Sequence, residues 1–192
     1  MHRNLWQVIL LGATLSTAHA GTVTGKVEGT TGPSVLYVEA IAGKTFPAPA
    51  QPPVMAQRHL KFEPHILPVQ QGSTVEFLNN DGVAHNVFWP SIGGNKKLAH
   101  NLGTWPQNEK RAFKFDTAGA VPLLCNAHPD MTGYIIVVPT PYFALTSESG
   151  EYKIENLPDG SYTLTAWHEG IKNQSKHVDV AGDTKADFTL SR

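Results

Sequence analysis

Three features of this 192-residue chain predict an all-β fold. Short apolar runs alternate with polar residues at period two, as Val75 and Phe77 do with Thr74 and Glu76. Glycine (17 residues) and proline (14 residues) are frequent, and turn-forming residues cluster in segments such as 79–82 (NNDG). Helical periodicity is hard to find after the first twenty residues. We therefore expect one β-sandwich or two.

The N-terminus has the pattern of a cleaved secretory signal peptide. Arg3 supplies a positive charge, residues 5–15 are mostly apolar, and Ala18-His19-Ala20 is a small-x-small cleavage site. The apolar stretch is shorter than the roughly 20 residues that a membrane-spanning helix needs. We expect cleavage after Ala20, no membrane span, and a mature protein that is periplasmic or secreted.

Charge and cysteine content narrow the possible functions. The chain has 15 basic and 16 acidic residues, and loss of Arg3 with the signal peptide leaves 14 against 16, a formal net charge of −2. This balance gives no reason to expect nucleic acid or an anionic membrane surface as a partner. Cys125 is the only cysteine, so the chain cannot form an internal disulfide, as exported proteins usually do. Such a thiol indicates intermolecular pairing, a reactive group or a metal ligand, and a buried structural thiol is the alternative.

Five segments of the mature chain predict strands. They are SVLYVEAI (34–41), STVEFLNN (73–80), RAFKFDT (111–117), YIIVVP (134–139) and SYTLTAW (161–167). A candidate linker lies at 137–143 (VVPTPYF), because two prolines in three residues cannot continue a central strand.

This linker divides the mature chain into two expected domains. The first covers residues 21–141 with its core at 52–139, and the second covers residues 142–192. The second is marginal in length for a core of its own. Residues 21–42 are expected to form a hairpin that either joins the second domain or supplies edge strands to the first, and both alternatives stay open.

The single cysteine begins a short series of metal-ligand side chains. Cys125 ends an apolar run, and His128 and Met131 follow it at intervals of three. A thiolate, an imidazole and a weak thioether suit copper that cycles between Cu(I) and Cu(II). Zinc has little use for methionine, and iron–sulfur clusters need more thiolates. A second histidine must come from elsewhere in the sheet, and His85, just after the turn at 79–82, is the strongest candidate.

Residues 52–139 resemble the cupredoxins, the small blue-copper electron-transfer proteins, and most closely the amicyanin- and plastocyanin-like members. The matching segments are FEPHILPVQQGSTVEFLNND, AHNVFW, FDTAGAVPLLC and CNAHPDMTGYIIVV. The resemblance implies a Greek-key β-sandwich with one type 1 copper per chain. It also implies His85, Cys125 and His128 as equatorial ligands and Met131 as the axial ligand. Leu124 departs from the aromatic residue that many members carry before the cysteine.

The two ends of the mature chain resemble a carboxypeptidase regulatory-like domain, a small Ig-like β-sandwich. The matching segments are GTVTGKV (21–27) and SGEYKIENLPDGSYTLTA (149–166). The resemblance implies a module that holds carbohydrate or protein.

These features together predict a periplasmic blue-copper protein that shuttles single electrons between transient redox protein partners and is not an enzyme. Electrons are expected to enter and leave near His128, through a patch that includes Pro129 and one of Phe88, Trp89 or Pro90. One alternative is a subunit of a copper-dependent redox enzyme, although the chain lacks the H-x-H or H-C-H arrangement of a second copper centre. The other alternative is a carbohydrate- or protein-binding module in which copper is structural.

Two predictions concern polar residues around this site. The amide of Asn86 is expected either to hydrogen-bond to the ligand loop, as groups around metal ligands do, or to be an ordinary turn residue. The remaining histidines of the mature chain are expected to be structural. They are His59, His65, His100, His168 and His177.

Overall fold

The computed structural model describes residues 20–191 as two β-sandwiches. The signal-peptide prediction falls on residues 1–20, of which 1–19 lie outside the described residues. The all-β prediction is confirmed, since the helical element within residues 20–191 is one 3-10 turn, Lys96–Leu98. That part of the chain contains no helix that is long and apolar enough to cross a membrane.

Seventeen strands are named here in chain order. They are β1 (Ala20–Glu28), β2 (Ser34–Val38), β3 (Val54–Arg58), β4 (Lys61–Glu63), β5 (Ile66–Gln70), β6 (Thr74–Asn79), β7 (His85–Trp89), β8 (His100–Trp105), β9 (Lys110–Lys114), β10 (Gly119–Leu124), β11 (Thr132–Val138), β12 (Phe143–Leu145), β13 (Glu151–Pro158), β14 (Gly160–His168), β15 (Ile171–Val180), β16 (Thr184–Lys185) and β17 (Phe188–Thr189). The five segments predicted as strands correspond to β2, β6, β9, β11 and β14.

The middle sandwich is built from β3 to β11. One sheet has the order β4-β3-β6-β9 and the other has the order β5-β11-β10-β7-β8. Alternating side chains such as Val75 and Phe77 of β6 point into a core that also contains Trp105, Met131 and Cys125. The predicted metal-ligand residues therefore belong to one end of a packed core, where neighbouring side chains restrict their movement.

The outer sandwich combines the two ends of the chain. Strand β1 pairs with β13, β16 and β17, and β2 lies between β12 and β14. Glycine is required at position 25 because a Cβ there would overlap the carbonyl oxygen of Ala186. These pairings favour the alternative in which residues 21–42 join the C-terminal strands. We propose that the middle sandwich is inserted between the two parts of the outer one.

An apolar cluster joins the two sandwiches. It consists of Val35, Ile66, Ile136, Val138 and Trp167. Strand β11 presents Ile135 and Val137 to the middle core and its alternate residues to this cluster, so both of its faces are buried. Burial on both faces explains why its sequence is a continuous apolar run.

Aromatic and polar contacts lie at two places along the same interface. Near the start of β11, the ring of Tyr134 lies 5.3 Å from that of Trp167, and the Nε2 atom of His65 lies 2.8 Å from a carboxylate oxygen of Glu169. Beyond the end of β11, the buried hydroxyl of Thr140 donates a 2.8 Å hydrogen bond to the carbonyl of Val38. The predicted linker is therefore bonded to the outer sandwich.

Candidate metal centre

Two strands and one loop bring His85, Cys125 and His128 together. His85 begins β7, Cys125 directly follows β10, and His128 lies in the loop between β10 and β11. Because β7 and β10 are hydrogen-bonded neighbours, residues at the adjoining ends of the two strands lie side by side. Each of the three residues offers one ligand atom, and these atoms all lie within 4.8 Å of one another.

The three ligand atoms form a nearly isosceles triangle whose short side joins the two nitrogens. The Nδ1 atoms of His85 and His128 are 3.1 Å apart, and the Sγ atom of Cys125 lies 3.9 Å from the first and 3.7 Å from the second. A metal bonded in one plane at about 2.0 Å to nitrogen and about 2.3 Å to sulfur requires separations of about 3.5 Å between nitrogens and about 3.7 Å from nitrogen to sulfur. The triangle therefore fits a single ion after small adjustments, and its donor set of two imidazoles and a thiolate suits copper.

The contact between the two imidazole nitrogens has a direct chemical meaning. A neutral imidazole has one N–H donor and one acceptor nitrogen. The Nε2 atom of His85 is 2.8 Å from a carboxylate oxygen of Asp81, a contact that favours the tautomer with the proton on Nε2 and the acceptor at Nδ1. This acceptor faces Nδ1 of His128 at 3.1 Å, which is favourable only with a proton or a cation between them. The two rings are thus oriented as a shared metal requires.

Burial differs among the three residues. The side chain of His85 is fully buried, Cys125 is 4% exposed, and His128 is half-buried. Pro129 and Asp130, which follow His128, are exposed. Of the three, His128 is therefore the residue that lies between the site and solvent.

Met131 lies at the end of the same loop. Its side chain is 1% exposed and belongs to the core cluster that contains Cys125. Its backbone N–H donates a 2.9 Å hydrogen bond to the carbonyl of His128, which closes a tight turn before β11 begins. This turn returns the chain to the core directly after His128, so Met131 remains the candidate axial ligand.

Asn86 connects the ligand loop to the sheet. Its Oδ1 atom accepts a long hydrogen bond (3.4 Å) from the backbone N–H of Asn126, the residue after Cys125. Its Nδ2 atom donates to the side chain of Asn101 at 2.9 Å and to the carbonyl of Gly103 at 2.8 Å. The structure thus shows the bond to the ligand loop that was one of the two expectations for this residue.

Sequence reasoning missed Asp81. One carboxylate oxygen accepts hydrogen bonds from Nε2 of His85 (2.8 Å) and from the backbone N–H of Leu60 (2.9 Å), and the other accepts from the N–H of His59 (2.7 Å). Burial alone would raise the pKa of Asp81, but the hydrogen bonds from Leu60, His85 and His59 outweigh it and lower the pKa. The available signal was the spacing of four residues between Asp81 and His85, but aspartate in a turn often bonds only its own backbone.

The structure distinguishes between the three alternatives for the predicted contact patch. Trp89 is 1% exposed, and its ring packs in the core against Phe77 and Phe113. Of the three alternatives for the contact patch, Trp89 is therefore excluded, because the alternation along β7 turns it inward. Phe88 is half-buried, and Pro90 is exposed.

Both parts of the chain are similar to known proteins. Residues 53–138 match the family model of copper binding proteins of the plastocyanin/azurin family, and residues 133–191 match that of the carboxypeptidase regulatory-like domain. Plastocyanin from Scenedesmus fuscus is 34% identical over 74 residues, covering 36% of this chain and 76% of that protein. Amicyanin-alpha from Methylorubrum extorquens is 28% identical over 90 residues, covering 47% of this chain and 75% of that protein. A solved structure of an oxidised amicyanin mutant is 27% identical with a TM-score of 0.41, covering 45% of this chain and 81% of that one.

Proposed function

Because the chain belongs to the plastocyanin/azurin family of copper-binding proteins, we propose that it is an exported blue-copper protein that carries single electrons. The observation that carries this proposal is the triangle of Nδ1, Nδ1 and Sγ atoms with sides of 3.1, 3.7 and 3.9 Å. A bound copper supplies a one-electron couple between Cu(I) and Cu(II). The signal-peptide pattern of residues 1–20 supports a periplasmic or secreted location.

Each site residue has a distinct role in this proposal. His85, Cys125 and His128 are the equatorial ligands and Met131 is the weak axial ligand of one copper per chain. His85 and Cys125 exclude water from the inner side of the site because both are buried. The hydrogen bond from Asn126 to Asn86 and the turn closed by Met131 hold the loop in place, and a fixed ligand set needs little rearrangement when the charge of the site changes.

The surface at the copper end of the middle sandwich suits brief contacts with redox proteins. Leu60 and Val83 are large apolar side chains that are each 48% exposed. Both lie in turns that meet at Asp81, the partner of His85, and are therefore at the copper end of the sandwich. A small apolar surface at this end of the sandwich favours transient docking over a permanent complex.

Absorption spectroscopy of the copper-loaded protein tests the proposal. We expect an intense visible band from charge transfer between the Cys125 thiolate and Cu(II), and we expect Cys125→Ser to abolish it. The control His177→Gln removes an exposed histidine on β15 and should leave the band unchanged. A colourless Cu(II) form of the wild type would refute the site. Metal analysis should give one copper per chain, whereas two or more would favour a subunit of a copper enzyme.

A further inference from the structure

We propose that Asp81 is a positioning residue of the copper site: its carboxylate holds the buried ring of His85 through Nε2–H, aims Nδ1 at the other ligands, and stabilises the oxidised site. The inference rests on the proposed electron-carrier function. It concerns a side-chain carboxylate that lies outside the ligand set.

The hydrogen bond is short and shielded from water. Nε2 of His85 lies 2.8 Å from Oδ2 of Asp81, the histidine side chain is 0% exposed, and the aspartate side chain is 13% exposed. Hydrogen bonds to an ionised acceptor are about twice as strong as neutral ones, and a low local dielectric strengthens them further. Rotation of the His85 ring would therefore break its bond to a buried negative charge.

A carboxylate partner also changes the electron density of the imidazole. A histidine that donates its second N–H to a carboxylate becomes a more basic ligand with a fixed tautomer. A basic ligand and a nearby negative charge both favour Cu(II), because it carries more positive charge than Cu(I). Asp81 should therefore stabilise Cu(II) more than Cu(I), and this lowers the reduction potential.

The surrounding chain fixes Asp81 itself. Its two carboxylate oxygens accept the backbone N–H groups of His59 (2.7 Å) and Leu60 (2.9 Å), and its own N–H donates to Oδ1 of Asn79 at 2.9 Å. His59 and Leu60 have φ values of 53° and 56°, a left-handed conformation that is costly for residues other than glycine. The bonds to Asp81 offset this cost, so the turn between β3 and β4 supports the carboxylate that faces His85.

A purely structural role for Asp81 is the competing explanation. In that case the carboxylate would only join the turn between β3 and β4 to the turn between β6 and β7. Its loss would then lower stability but would leave the tautomer of His85 and the reduction potential unchanged. The tautomer of His85 and the reduction potential are therefore the readouts that separate these two explanations.

Nitrogen-15 NMR of the metal-free wild type is the first test, because it needs neither copper nor a variant that might not fold. We expect the His85 ring to be protonated at Nε2 and unprotonated at Nδ1, with a slowly exchanging Nε2–H. The opposite tautomer would overturn the proposal whatever the protein does with copper.

The second test compares Asp81→Asn with Asp130→Asn, which removes the same charge from an exposed position two residues after His128. We expect Asp81→Asn to weaken Cu(II) binding by about 10- to 100-fold, as loss of such partners does elsewhere, and Cu(I) binding by less. A tenfold selective loss of Cu(II) affinity raises a one-electron potential by about 59 mV. Voltammetry of Asp130→Asn should show a smaller rise.

Two outcomes for the variants would overturn the proposal, and two outcomes for the wild type separate it from the copper function on which it rests. Equal reduction potentials in Asp81→Asn and Asp130→Asn would mean that Asp81 affects the site only through its charge, as an exposed carboxylate does. An unchanged Nε2–H signal in Asp81→Ala, which leaves no side-chain acceptor at this position, would mean that the carboxylate does not hold the ring. A colourless wild type would overturn the copper function, and with it the effect on potential, whereas a wrong tautomer in a blue wild type would overturn the role of Asp81 alone.

Discussion

Single side-chain contacts determine how much each ligand can move. His85 is held by a carboxylate, the residue after Cys125 is held by Asn86, and His128 is joined to Met131 by a backbone hydrogen bond. Each contact reaches a different part of the ligand set, and each is formed by buried or half-buried atoms. The site is therefore preorganised by its surroundings, as metal sites with supporting hydrogen bonds are in general.

Met131→Leu tests the axial role at this scale. The substitution keeps most of the buried volume and usually costs less than about 1.5 kcal/mol of folding stability. The visible band should persist because the three equatorial ligands remain. The reduction potential should rise, since loss of the thioether removes a donor that stabilises Cu(II).

Met55→Leu is the matched control, because Met55 is buried in the same core and lies outside the predicted ligand set. Voltammetry of Met55→Leu should give the wild-type potential. If Met131→Leu lost both its colour and its copper affinity, Met131 would be more than a weak axial ligand. Equal potentials in the two variants would exclude any role for the thioether.

The sequence was more informative about the predicted metal ligands than about the residues that hold those ligands in place. Cys125, His128 and Met131 stand within seven residues, so their spacing alone indicates a shared site. His85 could be selected because it follows a turn at the start of a strand. Asp81 could not, because its importance depends on backbone groups of His59 and Leu60, which approach it only in the folded chain.

Among the strands, β11 is the one that connects the metal loop, the segment between β10 and β11, to the rest of the molecule. It begins directly after Met131, pairs with β10 and β5, and is buried on both faces. Gly133, its second residue, faces β4 and the residues that lead from β4 to β5. A Cβ at this position would lie 2.8 Å from Cβ of Phe62 and 3.1 Å from the carbonyl oxygen of His65.

Gly133→Ala should therefore destabilise the middle sandwich. Overpacking of a dense core usually costs about 1–3 kcal/mol. Urea unfolding of the copper-free protein should show this loss as a lower midpoint with an unchanged slope. Gly82→Ala is the control, because a Cβ there would meet no atom within 4 Å, and its effect should stay within about 0.5 kcal/mol. Equal midpoints for the two variants would show that the chain beside Gly133 can move aside freely.

Period-two alternation was sufficient to locate five strands in the sequence. It could not predict which strands pair when the partners are far apart along the chain. Strands β2, β6, β9, β11 and β14 coincide with predicted segments because each contains a short apolar pattern bounded by turn residues. The partners of β1 could not be derived in this way. They are β13, β16 and β17, more than a hundred residues away, and a local pattern does not choose between a near and a distant partner edge.

The outer sandwich is attached to the middle one beside the strand that carries the metal loop. Apolar burial, rather than charge, should hold this arrangement. Trp167 is 7% exposed in the shared apolar cluster, whereas His65 and Glu169 form their 2.8 Å contact with side chains that are 46% and 42% exposed. An exposed contact of this kind, even when both groups are charged, contributes at most about 1 kcal/mol, whereas removal of a buried tryptophan costs about 3–5 kcal/mol.

Trp167→Ala and Glu169→Gln therefore form a matched pair of variants that act on the same interface. Trp167→Ala should lower the free energy of unfolding by about 3–5 kcal/mol, and Glu169→Gln by less than about 1 kcal/mol. Both should keep the visible band of the copper-loaded protein, because neither residue contacts the ligand triangle. Limited proteolysis should cut Trp167→Ala first between β11 and β12, where the linker passes from one sandwich to the other. A larger loss in Glu169→Gln would instead identify the contact between His65 and Glu169 as the main one between the sandwiches. Loss of the band in Trp167→Ala would show that the metal loop depends on the outer sandwich for its shape.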